Sequence, residues 1–261
     1  MRELDVREVK TSPPPRIAVV GAGRMGTALT ASLRSAGVPV AGPLRRGSDT
    51  RAADVVLLAV TDSQIANAAK AVAPGPLVGH CSGATSLAPL GDHEKFSLHP
   101  LIAVPRGGAP AFAGAACAIA GSSVRALRFA ESVAVALGMR PVHVEDADRV
   151  AYHAAAAMAS NFLVALEAAA ERLAASAGVS RDALIPLVRA TVDNWAALGP
   201  EQALTGPIAR GDEVIVTAHR NAIAERAPEL LDCFDALAAV TRAVAANDHA
   251  KQAATAVEGR R

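Results

Sequence analysis

The chain reads as an α/β protein in which a parallel sheet covered by helices is followed by an all-α region. Three observations predict this. Short apolar runs alternate with helical stretches from Arg16 to about Val144. A glycine-rich turn, Gly21-Ala-Gly-Arg-Met-Gly26, joins the first apolar run to the first helix. After Glu145-Asp146 no strand-like run follows, and alanine-rich helical sequence takes over.

Met1–Pro15 mixes charges with Thr11-Ser-Pro-Pro-Pro15 and lacks an apolar core, so residues 1–15 are expected to form a disordered tail, neither a signal peptide nor a membrane segment. Arg16–Val20, Val38–Ala41, Asp54–Val60, Leu77–His80, Lys95–Leu98, Ala115–Ala120 and Arg140–Val144 are the predicted strands. Continuous apolar strands separated by helices belong to a parallel sheet buried on both faces. Between them, Arg24–Ala36 reads as a helix ended by Gly37, and Thr61-Asp62-Ser63 can cap a helix running to Lys70.

Asp146 to Ala177 holds no proline or internal glycine and predicts one long helix, ended by Gly178. Val179-Ser-Arg-Asp182 caps a second helix through Ala197, broken by Gly199-Pro200. Asp212 or Gly211 starts a third through Ala224, and Pro228 suits the first turn of a fourth ending near Asn247. The expected organisation is a tail (1–15), a sheet domain (16–145), a helical domain (146–249) and a frayed end (250–261).

At 261 residues the chain can bury a sizeable core. A net charge of +1 and a charged fraction of 20% exclude a broad basic field for nucleic acid or an anionic membrane, and 3% aromatic residues argue against base-stacking platforms. A small-molecule partner is expected. Cys81, Cys117 and Cys233 are widely spaced and form no C-x-x-C pair, which fits a reducing cytoplasm and no metal site. Cys81 beside His80 reads as a small residue at a strand end or, alternatively, as a thiolate nucleophile.

The glycine turn carries the most specific chemistry. Strand, turn and helix stand in the order that a dinucleotide site requires. Gly21 makes the tight turn, Gly23 lets the backbone approach a pyrophosphate, and Gly26 lets the helix pack on the strand. Arg24 and Met25 lie in the same turn, and Val60 and Thr61 end the third strand beside it. No acidic residue follows the second strand to read a ribose 2′-hydroxyl; Arg45 and Arg46 stand there instead. Their guanidinium groups suit a 2′-phosphate, so NADP (as NADPH) is expected over NAD, unless the arginines only solubilise a loop.

Ligands of such sheets lie beyond the carboxyl ends of the strands, which gathers the Gly21 turn, Arg45, Thr61, His80 and His99 around one crevice. Pro100 fixes the backbone after His99, which either aims its imidazole into the crevice or bonds a carbonyl in a buried turn. On the long helix, Tyr152, His153 and Asn161 are separated by small alanines. His153 can donate a proton to a carbonyl oxygen or imine nitrogen that Asn161 holds, or the two can satisfy each other between helices. In Leu204-Thr-Gly-Pro-Ile-Ala-Arg-Gly-Asp212, Arg210 either binds a substrate carboxylate or pairs with Asp212. The candidates are therefore His153, Asn161 and His99 for catalysis, and Ser82, Tyr152, Thr205 and Arg210 for substrate.

Together, the glycine turn, His80-Cys-Ser-Gly83, Ser97-Leu-His-Pro-Leu101, Tyr152–Asn161 and Leu204–Asp212 resemble a family of Rossmann-like proteins carrying a C-terminal helical domain of unknown function, the DUF2520 type. That family looks related to pyrroline-5-carboxylate reductase, ketopantoate reductase and the 6-phosphogluconate and 3-hydroxyisobutyrate dehydrogenases. The resemblance implies a helical domain that dimerises and closes the substrate cleft against a nicotinamide. Ketopantoate reductases and the hydroxyacid dehydrogenases place a lysine one helical turn before an asparagine; here that position is Ala157. The chain has only four lysines, Lys10, Lys70, Lys95 and Lys251. Either His153 or His99 substitutes as the acid, or the substrate is an imine that arrives protonated.

The expectation is an NADPH-dependent reductase of a small carboxylate-bearing ketone, aldehyde or imine, cytoplasmic and homodimeric. The alternatives are a non-catalytic NADP-binding sensor and a deazaflavin-dependent oxidoreductase.

Overall fold

A computed structural model describes residues 14–105 and 112–258, those beyond 247 by backbone alone. The disordered tail expected over 1–15 therefore falls almost wholly outside the described residues. Two compact units divide the chain after Asn161.

The first unit is built on a seven-stranded sheet: β1 (Ile17–Val20), β2 (Val40–Leu44), β3 (Val55–Leu58), β4 (Leu77–His80), β5 (Lys95–Pro100), β6 (Ala116–Gly121) and β7 (Arg140–His143), in spatial order β2-β1-β3-β4-β5-β6-β7. Alternate residues bury on opposite faces, as strand geometry dictates. Ile17, Val19, Val55, Leu57, Phe96, Leu98 and Ile119 face Leu29 and Leu33 of α1 (Arg24–Ser35) and Ala130 and Val133 of α3 (Val124–Ala136). On the other face Ala18, Val20, Val56, Leu58 and Val78 meet Ile65 and Ala69 of α2 (Ile65–Lys70). The fully buried strands thus explain the continuous apolar runs in the sequence.

The sheet is parallel, as expected, except at one pair. β5 and β6 pair antiparallel, with Leu98 opposite Ile119, while β7 returns parallel to β6. Parallel neighbours need a long crossover connection, usually a helix, and no helix stands between β5 and β6 among the described residues. β7 is an exposed edge, where Pro141 interrupts no interior ladder.

The expected single helix over Asp146–Ala177 is three segments: α4 (Arg149–Ala157), a π turn (Met158–Phe162) and α5 (Leu163–Ala175). The Ser160 hydroxyl donates to the Ala156 carbonyl at 2.8 Å, a side-chain bond that competes with the helical ladder at this point. α4 belongs to the sheet-bearing unit, so the division falls at Asn161 and not at the end of the sheet.

The second unit comprises α5, α6 (Arg181–Ala203), α7 (Glu213–Arg226) and α8 (Leu231–Glu258). Gly199, at φ +78° and ψ 172°, breaks α6 where the Gly-Pro pair predicts it. The Asp212 carboxylate caps α7 by accepting from the Ile215 N–H. Arg220–Asp235 and Arg242–Glu213 ion pairs tie α7 to α8. α8 runs on to Glu258, beyond the end expected near Asn247 and into the stretch read as frayed. Few side chains in this unit are buried, Val216, Ile223, Ala227 and Ala238 among them, whereas Phe162, Val164, Leu187, Trp195 and Val214 are exposed.

Candidate functional site

Within the first unit, a cleft of about 870 Å³ opens at the carboxyl ends of β1, β3 and β5. Gly23, Arg24 and Met25 form one wall, Ala59, Val60 and Thr61 the floor beside it, His99–Val104 the third side, and α4 with Ser160 and Asn161 the fourth. Its size suits a small ligand with part of a cofactor.

Each glycine of the turn has a separate cause. A Cβ on Gly21 would fall 2.1 Å from the Ala59 carbonyl oxygen, and its φ of +128° is already glycine territory. A Cβ on Gly26 would fall 1.9 Å from the Gly21 carbonyl oxygen. Gly23 has nothing within 4 Å of that position: it faces open space. Gly23 is also the N-cap of α1 and no side chain caps that helix, whereas Ser123 caps α3. The first N–H groups of α1 are thus left for an anion. Arg24 donates to the Val104 carbonyl at 3.0 Å, bridging the turn to the opposite side of the cleft. Arg45 and Arg46 are exposed just past β2, and no ion pair engages them among the described residues.

Opposite the glycine turn stand the polar groups of β5 and α4. His99 Nδ1 lies 2.8 Å from the Tyr152 hydroxyl, with the rings edge-on at 5.6 Å. The His153 ring centroid is 5.9 Å from that of His99. Burial, followed by His153 and the Arg149 guanidinium, pushes the His99 pKa down to about 4, so its imidazole is neutral at pH 7. Burial raises the Tyr152 phenol to about 12. No hydrogen bond joins His153 to Asn161 among the described residues; both line the cleft separately.

Arg149 is the residue that sequence reasoning missed. It is 1% exposed, its terminal nitrogens donate to Ser97 Oγ at 2.8 Å and to the Ser82 carbonyl at 2.7 Å, and its Nε has no partner among the described residues. It pins the first turn of α4 to the ends of β4 and β5. The only sequence signal is an arginine directly after Asp148 and three residues past the Glu145-Asp146 pair at a helix start, a pattern usually met on solvated surfaces.

Ser82 is buried beneath the cleft, where its hydroxyl donates to Asp62 at 2.9 Å and accepts from the Thr85 N–H. That hydroxyl organises the loop and is not presented to a substrate. His80 accepts from the Ser82 N–H through Nδ1 and lies 3.1 Å from the Ser86 carbonyl through Nε2, which assigns its proton to Nε2. Cys81 is half-buried and burial raises its thiol, so it is no thiolate nucleophile at neutral pH. Thr205 and Arg210 are exposed in the second unit, and the Asp212 carboxylate is engaged as a helix cap, not in an ion pair with Arg210.

This is a Rossmann-type α/β fold followed by a helical region. Residues 115–241 match the family described as Domain of unknown function (DUF2520), so the resemblance read from the motifs holds. The matched segment begins just before β6 and takes in the last two strands as well as the helices. The chain is similar in structure to a Bacteroides fragilis protein described as an NADP oxidoreductase (21% identity, 88% of this chain and 98% of that one, TM-score 0.76). It is also similar to a reductive aminase of Aspergillus terreus solved with NADPH and ethyl-5-oxohexanoate (19% identity, 81% and 86% covered, TM-score 0.61). A third is the pyrroline carboxylate reductase of Plasmodium falciparum with NADP bound (12% identity, 88% and 98% covered, TM-score 0.58). No curated protein matches the chain by sequence.

Proposed function

We propose that the protein is an NADPH-dependent reductase of a small carboxylate-bearing ketone, aldehyde or imine, of the ketopantoate-like or pyrroline-carboxylate-like kind. One observation carries the reading: the uncapped start of α1, at Gly23, opens into the same cleft that His99, Tyr152, His153 and Asn161 line. Gly21, Gly23 and Gly26 would hold the pyrophosphate and Arg45 with Arg46 the 2′-phosphate. When bound, the dinucleotide supplies a hydride; the chain supplies binding, orientation and a proton. The Asn161 amide would hold the reacting heteroatom and small alanines leave room for the substrate. The three structural relatives described with NADP or NADPH support the cofactor class. A thermal-shift screen of NADPH, NADH and a panel of oxo and imino acids tests it, because a ligand of the native state raises its stability. No shift with NADPH at millimolar concentration rejects the reading.

A non-catalytic NADP sensor is the second reading, favoured by Ala157, which lines the cleft where related dehydrogenases carry a lysine. NADPH binding without oxidation by any panel member would select it.

The functional form we propose is a cytoplasmic homodimer. Phe162, Val164, Leu187, Trp195 and Val214 stay exposed in a unit with few buried side chains, so a second copy is the fitting cover. Arg149–Ala175 is long and apolar enough to cross a membrane by length and composition. With Tyr152, His153 and Asn161 of that stretch on the cleft, its apolar residues fit a subunit contact better.

A further inference from the structure

We infer that Tyr152, with its oxygen held by His99, is the catalytic residue that hands the proton to the substrate; this rests on the reductase reading above.

Three groups near the cleft carry a transferable proton. His99 is the poorest donor near neutrality, because it lacks the extra proton. It is flanked by Arg149, Tyr152 and His153 of α4 and by His80 of β4, and Asp62 after β3 is the one carboxylate that opposes them. His153 is exposed at the cleft edge and no hydrogen bond fixes its ring among the described residues, so no partner atom directs one of its N–H groups toward a reacting atom. Tyr152 lines the cleft, is oriented by the 2.8 Å contact to His99, and sits one turn after the buried Arg149 that fixes its helix. Its phenol keeps its proton across the physiological range, as a donor must.

The proton balance sets the tautomer. The phenol has one proton, and if His99 Nδ1 accepts it none is left for the cleft. His99 must therefore carry its own proton on Nδ1 and donate to the Tyr152 oxygen. As the substrate carbon is reduced, its former C=O or C=N π pair moves to the heteroatom and takes the phenol proton. The Tyr152 oxygen takes the Nδ1 proton and Nε2 of His99 gains one from water, leaving hydroxide; water then reprotonates Nδ1 while Nε2 gives its proton back to the solvent, so the net donor is water and His99 returns neutral with its proton on Nδ1.

Tyr152 is the one tyrosine in the chain, so global replacement of tyrosine by 3,5-difluorotyrosine changes only this phenol, making it more acidic. With 1-pyrroline-5-carboxylate and ketopantoate as probes and NADPH as reductant, turnover of the difluoro protein should be lost at lower pH than in the natural protein. Tyr152→Phe should lower kcat at least a hundredfold while NADPH affinity stays within twofold, and should be more damaging than His153→Asn. Nitrogen-15 NMR of the natural protein should show neutral His99 with its proton on Nδ1. A pH profile indifferent to fluorination, full turnover in Tyr152→Phe, or a proton on Nε2 of His99 overturns the assignment. If the natural protein consumes no NADPH with either probe, the reductase reading falls and this assignment with it; activity retained in Tyr152→Phe removes the assignment alone.

Discussion

A Cβ placed on Gly83 would lie 2.5 Å from Cδ2 of His153 and 2.8 Å from Cε1 of His99. The two imidazoles meet over a stretch of main chain that only glycine leaves bare. Gly83→Ala should therefore push both rings out of place, at a cost of about 1–3 kcal/mol for overpacking. The variant should melt lower and turn over more slowly; unchanged melting and turnover would mean that the rings swing away freely.

The depressed pKa of His99 makes stability depend on pH. Between its unfolded value of 6.5 and its folded value of about 4, the unfolded chain binds more protons than the folded one, so the native state loses stability as pH falls across that window. The loss from His99 is on the order of 3 kcal/mol. His80, also held below its ordinary value chiefly by burial, acts in the same direction. Urea melts at a series of pH values should show a steeper acid loss in the natural protein than in His99→Gln; identical slopes would refute the cause.

Arg149→Met removes a buried positive charge from beside His99 and also the donors to Ser97 Oγ and the Ser82 carbonyl. The His99 pKa should rise, and NMR titration of its ring reads the change directly. A His99 titration that does not move would remove Arg149 from the causes of its low value, leaving burial and His153.

Arg45→Ala combined with Arg46→Ala should weaken NADPH binding about tenfold or more, as expected for lost charge-assisted bonds, and leave NADH binding nearly as it was. Calorimetric titration with both dinucleotides decides. Equal effects, or none, remove the case for a 2′-phosphate site.

Light scattering at micromolar concentration should give twice the chain mass, and Val164→Glu with Trp195→Glu should give the monomer. Both side chains are more than half exposed in the single chain. A monomeric natural protein would contradict the proposed assembly.

Much of the first unit was legible because its signals are local. The Gly21–Gly26 spacing encodes a turn whose steric demands fall at those same glycines, and the apolar runs locate every strand to within a few residues. The direction of β6 was not legible, since orientation depends on the connection and not on the strand's own residues. The π turn left no pattern in an alanine-rich run, as a single hydroxyl reaching back to Ala156 is invisible to periodicity. The structural roles of Ser82 and Arg149 were both illegible for one reason. A polar residue's function follows from whether its partners are protein or solvent, which composition does not reveal.

The wall of the cleft formed by the start of α1 is main chain, and that has an evolutionary consequence. Amide donors cannot be deleted by changing side chains, and changes at Gly21 or Gly26 would meet backbone oxygen at once. On the proposed reading, cofactor choice is left to the far end of β2, where Arg45 and Arg46 are exposed. A lineage of such proteins would keep its affinity for dinucleotides while exchanging one for another through a two-residue stretch.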